Sequence, residues 1–386
     1  MRFGFNGPIY STRATADITG VMLRDSARIQ KEEFAYAKSS DDALTDPLFE
    51  LIDVEHVIDR LYRLPYEESV EILPGLVLNF RDAGHILGSA IVELTFREEG
   101  RDRKFVFTGD IGRRDVGLLP DPTVLSGMDV LISESTYGAR VLEPYSVLLK
   151  RLHVILARAN RLRGKVIIPA FSLGRTQRMI YCLQELFYRH RVKPMPVFVD
   201  SPLANRLTEI HRDYPEAYTV EARRLMDRDP QYFGSRYVSP CLTWDDSRRL
   251  NHMSGPMVII ASSGMCDAGR VRHHLMHGLE DEKNAVVIVS YQAEGTLGRS
   301  LVQGHRELKI LDRDVNVRCP VFVLDGFSGH ADAEDLAWWF SQTGGSVETA
   351  FLVHGEPESM QAIAPILQKS VKNPVLLPEY GSIHEV

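Results

Sequence analysis

The chain has 386 residues, 44% hydrophobic and 25% charged, an ordinary globular balance that excludes a disordered or collagen-like chain. Lys plus Arg total 45 and Asp plus Glu total 52, giving a net charge of −7. That excludes a globally basic nucleic-acid coat but leaves room for a local basic groove.

The length suggests about two to three domains. The opening segment MRFGFNGPIYST begins in the middle of what reads as a strand and turn, with no signal-peptide pattern. ATADITGVMLRDSARIQKEEF reads as a helix, and DPLFELIDVEHVIDRLYRL as a second, with apolar residues at three- and four-residue spacing. Strand candidates follow in GLVLNFRDAG, AIVELTF, KFVFTGD and DVLISES. From about Tyr145 the pattern alternates. VLLKRLHVILARANRL and LGRTQRMIYCLQELFYRHR are helical, and KVIIPAF, MPVFVDSPLA, PMVIIASSGM and AVVIVSYQ read as buried strands. Such alternation predicts a second α/β domain with a mostly parallel sheet. VFVLDGFSGH and TAFLVHGE close the chain as strands, with the helix ADAEDLAWWF between them. No apolar run reaches the ~18 residues of a membrane-spanning helix, so no membrane partner is expected. Cys182, Cys241, Cys266 and Cys319 lie far apart without a C-x-x-C, which suits a reducing, cytoplasmic setting and neither a zinc knuckle nor a disulfide scaffold.

Five apolar strand candidates each run into a side chain able to bind metal or carry a proton. These are His85 in DAGHILGSA, Asp110 in FTGDIG, Glu134 in ISESTYG, His330 in GFSGHAD and His354 in LVHGE. Loops at strand ends are where sites concentrate, and imidazole nitrogen with carboxylate oxygen suits a divalent metal such as zinc. One such residue is ordinarily a turn former; five in one chain point to a site.

The order of DAGHILGSA, FTGDIG, SESTYG, ASSGMCDAGR, YQAEGTLGR, FSGHAD and LVHGE resembles the β-CASP branch of the metallo-β-lactamase superfamily, RNA-processing nucleases related to the nuclease subunit of the pre-mRNA cleavage and polyadenylation factor. The resemblance covers essentially the whole chain. It implies an α/β fold, a metallo-β-lactamase αββα sandwich (N-terminally incomplete) at 1–141 and 328–386, with an inserted β-CASP α/β domain at 142–327. It also implies a two-zinc phosphodiesterase. His85 would be a zinc ligand, Asp110 the bridge between two ions and His354 the completion of the second site. His330 would be the general acid, and Glu134 would orient a histidine. The substrate implied is single-stranded RNA in a cleft between the domains, and a homodimer is a possible assembly.

The family's H-x-H-x-D-H loop does not occur in these residues; the first histidine is His56, in DVEHVIDR. The expectation is that the loop belongs before residue 1. Each zinc would then keep two protein ligands where three or four are usual, so metal binding should be weak or absent and hydrolysis impaired. The alternative is a non-catalytic relative acting as an RNA- or protein-binding scaffold.

In the second region, ASSGMCDAGR, YQAEGTLGRS and PAFSLGRTQ place small residues, hydroxyls and an arginine after buried strands, which suits phosphate. The expected substrate contacts are Ser262, Ser263, Arg270, Thr296, Arg299, Ser172 and Arg175. His273, His274 and His277 in VRHHLMHG read as helix surface or interdomain contact, and Trp338 and Trp339 as core.

Overall fold

The computed structural model describes residues 4–39, 46–228, 233, 237–343 and 347–386, so the first three residues of the opening segment lie outside it. Two compact units form. One comprises residues 1–111, 122–135 and 337–386, and the other residues 112–121 and 136–336.

In the first unit, β1 (Ile9–Thr12) leads into α1 (Arg13–Ser39) and α2 (Leu51–Ile58). The second helix is shorter than its apolar spacing predicts. Its last residues, Leu61–Leu64, form a strand, β2, in parallel register with β1, with Ile9 opposite Leu61 and Thr12 opposite Leu64. The leucines of LYRL stand three residues apart, the spacing of a helix turn, and pairing with β1 overrides it. Then come β3 (Val70–Leu73), β4 (Leu76–Asp82), β5 (Ala90–Glu98), β6 (Arg101–Phe107) and β7 (Val130–Glu134).

The second unit holds α3 (Tyr145–Leu162), β8 (Lys165–Pro169), α4 (Arg175–Tyr188), β9 (Val197–Asp200) and α5 (Pro202–Arg212). It continues with α6 (Val220–Arg228), β10 (Val238–Pro240), α7 (Trp244–His252), β11 (Met257–Ala261) and α8 (Val271–Gly278). β12 (Ala285–Ile288), α9 (Leu297–Val302), the hairpin β13 (Glu307–Ile310) and β14 (Arg313–Asn316), and β15 (Val321–Val323) follow. The chain ends with α10 (Ala333–Ser341), β16 (Thr349–Val353) and α11 (Pro357–Leu367).

The first unit's main sheet has the order β16-β7-β6-β5-β4-β3. β4 and β6 flank the antiparallel β5, and β6, β7 and β16 are mutually parallel, so β4, β6, β7 and β16 all point their C-terminal ends to one edge. Trp339 is fully buried in this unit and its indole N–H donates to the Thr123 carbonyl at 2.9 Å, as a core reading requires.

The second unit's sheet, β10-β9-β11-β8-β12-β15, is parallel throughout. Its strands are nearly all apolar because helices cover both faces. Residues of α3 and α4 pack on one face with Val166 and Ile168, and residues of α7, α8 and α9 pack on the other with Ile167, Ile259 and Val286. All four cysteines are buried and reduced. No helix among the described residues is long and apolar enough to cross a membrane.

Candidate metal centre and phosphate-binding loops

The common edge of β4, β6, β7 and β16 gathers four of the five expected residues. His85 lies three residues past β4, Asp110 three past β6, Glu134 ends β7, and His354 follows β16. The His85 Nε2 is 3.8 Å from one Asp110 carboxylate oxygen, and the His354 Nε2 is 3.5 Å from the other. His85 is nearly enclosed, at 12% side-chain exposure, whereas His354 is open at 62%.

Local sequence explains how each loop is held. Thr12 and Thr15 both donate their hydroxyls to the Gly88 carbonyl, at 2.8 and 2.7 Å, and pin the turn after His85. Gly88 has φ +85°, and a Cβ there would meet Thr15 at 2.7 Å, so the close approach needs glycine. The Ser89 hydroxyl accepts from the His85 and Ile86 N–H groups. The Glu134 carboxylate is buried and accepts the Ile111 N–H, which fastens the loop carrying Asp110. His354 adopts φ +55°, uncommon outside glycine, and the Ser135 hydroxyl donates to the preceding carbonyl of Val353 at 2.9 Å.

His330 belongs to the second unit, and it does not end a strand as expected. β15 stops at Val323, and a 3-10 turn at Asp325–Phe327 intervenes. β15 is an edge strand, and the chain beyond it finds its partners elsewhere. The Gly326 carbonyl accepts from Arg113 at 2.6 Å, Ser328 from Arg178 at 2.9 Å, and Gly329 from the Arg113 backbone N–H at 3.2 Å. His330 itself bridges Gly112, and its ring lies edge-on to Tyr137. Arg113 also contacts Asp332 and Asp335 at 3.3 and 3.4 Å, so two buried guanidinium groups, those of Arg113 and Arg178, organise the turn.

The residues expected to contact phosphate divide. The Ser172 hydroxyl lies 2.8 Å from that of Ser262 and 3.2 Å from that of Ser201, joining the loops after β8, β11 and β9. Arg175 opens α4 three residues after Ser172. Its Nε and Nη1 are shielded from solvent without a hydrogen-bond partner among the described residues, as is the Nε of Arg299. Burial, with Arg178 nearby, pushes the Arg175 guanidinium down to about 9. Ser263 closes its own loop onto Ala268, and Thr296 caps α9 through the Arg299 N–H. Arg270 turns inward. It is 7% exposed, paired with Asp200 at 2.7 Å and stacked over Trp244, so its charge serves an internal network. His274, read as surface or interdomain contact, joins that network: it is buried, 2.6 Å from Asp200 and 2.8 Å from Asn251.

Two family models match the chain: the Beta-Casp domain over residues 176–301, and the Zn-dependent metallo-hydrolase RNA specificity domain over residues 314–378. A ribonuclease of Thermus thermophilus is 35% identical over 368 residues, 95% of this chain and 79% of that protein. The chain belongs to the β-CASP family of metallo-β-lactamase-fold RNA nucleases. The transcription termination factor FttA of Methanocaldococcus jannaschii is 30% identical over 387 residues, 98% of this chain and 59% of that protein. Its counterpart from Pyrococcus horikoshii is 32% identical over 374 residues, 95% and 55% of the two chains. The β-CASP chain thus spans a little over half the length of these archaeal relatives. Its α/β architecture is that of the family, a metallo-β-lactamase fold with a β-CASP insertion.

Proposed function

We propose that this β-CASP chain acts on single-stranded RNA as a metal-dependent phosphodiesterase, with His85, Asp110 and His354 as its zinc donors. The observation that carries this reading is the Asp110 carboxylate, which turns one oxygen to each of two imidazoles at 3.8 and 3.5 Å. Two ligands that sit ~2.0–2.1 Å from one tetrahedral zinc are about 3.3 Å apart, so each pair has the span that a shared ion needs. His85 with Asp110 would hold one ion, and Asp110 with His354 a second.

Bound there, zinc would lower the pKa of a water so that hydroxide is available to attack a phosphodiester at neutral pH. The protein's own groups do the rest. Glu134 holds the Asp110 loop through the Ile111 N–H. His330, in the turn fixed by Arg113 and Arg178, donates the proton to the leaving oxygen. Ser172, Ser262, Arg175 and Arg299 hold the RNA backbone. Their hydroxyls converge, and buried guanidinium donors without partners suit an anion. The family domains are assigned to residues 1–141 with 328–386 and to 142–327.

Two donors named for each ion are fewer than a tight zinc site has, so these residues would by themselves bind zinc weakly and hydrolyse RNA slowly. The same count favours a second reading, an RNA-binding relative without hydrolysis. Cleavage of single-stranded RNA in excess zinc separates the two. Slow cleavage that His330→Ala abolishes supports the nuclease. RNA binding with no cleavage at any zinc concentration supports the scaffold.

A further inference from the structure

In the second unit's parallel sheet, the crossover after β8 runs to α4 on one face and the crossover after β11 runs to α8 on the other. Where neighbouring connections diverge in this way, the C-terminal ends of the strands leave a crevice that binds ligands. The Ser172–Ser201–Ser262 hydroxyl group lies there.

Two aromatic residues share this rim. Phe171, next to Ser172, is 40% exposed, and Tyr291, three residues past β12 on the strand beside β8, is 54% exposed. The Phe171 ring is braced from behind, and the Tyr291 backbone is held. A Cβ on Gly264 would lie 3.0 Å from the Phe171 ring and from its backbone nitrogen, so the ring rests on the bare backbone of the loop after β11. The Gly264 carbonyl accepts from the Gln292 side-chain amide at 2.9 Å, and that same amide reaches the carbonyls of Ser290 and Tyr291 at 3.0 Å each. One buried glutamine therefore links the loop that carries Tyr291 to the Gly264 loop on which the Phe171 ring rests. The Phe171 carbonyl is itself held by the N–H and hydroxyl of Thr176.

We propose that Phe171, with Tyr291 as its neighbour, is a stacking platform for a base of single-stranded RNA whose backbone passes over the serine hydroxyls. Half-exposed rings, one of them packed on the Gly264 backbone, beside hydroxyl donors and a cationic helix start combine the two parts of a single-strand site, a π-face for the base and polar groups for the backbone. The platform rests on the reading of this chain as an RNA-binding protein. It adds base contact to a site otherwise built for phosphate, and it favours purines because they stack over a larger area.

Fluorescence anisotropy in EDTA tests it without cleavage, with a labelled oligoadenylate and an abasic ribose-phosphate strand of equal length as probes. Phe171→Ala should weaken oligoadenylate binding about tenfold and leave the abasic strand unchanged, and Phe171→Trp should restore it. Tyr291→Ala should lower oligoadenylate affinity by a smaller factor, an independent check if the first variant folds poorly. Equal weakening of both strands, or of neither, overturns the platform while the RNA reading stands. A wild-type chain that binds neither strand overturns both.

Discussion

At the residue scale, the polar ends of β4, β6, β7 and β16 were legible because a strand fixes where its last residue points, and the loops that follow are short. His85, Asp110 and His354 converge for that reason. Arg270 was not legible. An arginine among small residues after a strand reads equally as an anion contact or as half of a buried pair, and its partner Asp200 lies 70 positions away. No sequence motif marks His211. It is 2% exposed, with Nδ1 2.9 Å from the Leu207 carbonyl, and burial pushes its imidazole down to about 4. Below its ordinary pKa of about 6.5 the unfolded chain takes up a proton that the folded chain refuses until about pH 4. Stability therefore falls as pH drops through that window, by about 2 kcal/mol between pH 7 and pH 5. In His211→Gln this part of the slope should vanish. Urea unfolding of both proteins at the two pH values measures it, and parallel curves would show that His211 is protonated in the fold.

At the element scale, the turn around His330 depends on side chains distant in sequence. Its motif GFSGHAD suggested a strand running into a histidine, yet the carbonyls of Gly326, Ser328 and Gly329 are satisfied by Arg113 and Arg178. No local pattern in those seven residues announces that. Asp332 caps α10 through the Glu334 and Asp335 N–H groups, and Asp335 is held above the usual carboxylate range by burial and by Asp332. Arg113 offsets both acids. Arg113→Gln should cost about 3–5 kcal/mol, because buried Asp332 then loses its guanidinium partner and Asp335 keeps only Arg114 at 3.0 Å. Adding Asp335→Asn should recover part of that loss. Chemical unfolding of the single and double variants checks it, and a single variant as stable as wild type would contradict this account of the turn. The short β2 carries the opposite lesson: LYRL followed helical spacing closely enough to be read as helix until β1 paired with it.

At the scale of the whole molecule, strand–helix alternation after Tyr145 was enough to predict a parallel second sheet, since crossovers between parallel strands need helices. The order of its strands was not readable, and with it the crevice that brings Ser172, Ser201 and Ser262 together. The chain's family rests on motifs spread over both units, and its proposed chemistry rests on one carboxylate in the first. Zinc titration of the wild-type chain against Asp110→Asn, followed by competition with a chromophoric chelator, addresses that carboxylate most directly. The account predicts reversible, weak zinc uptake by the wild type and a loss of affinity of at least about tenfold in the variant, because Asp110 is the donor proposed for both ions. Equal zinc affinity in the two proteins would contradict it.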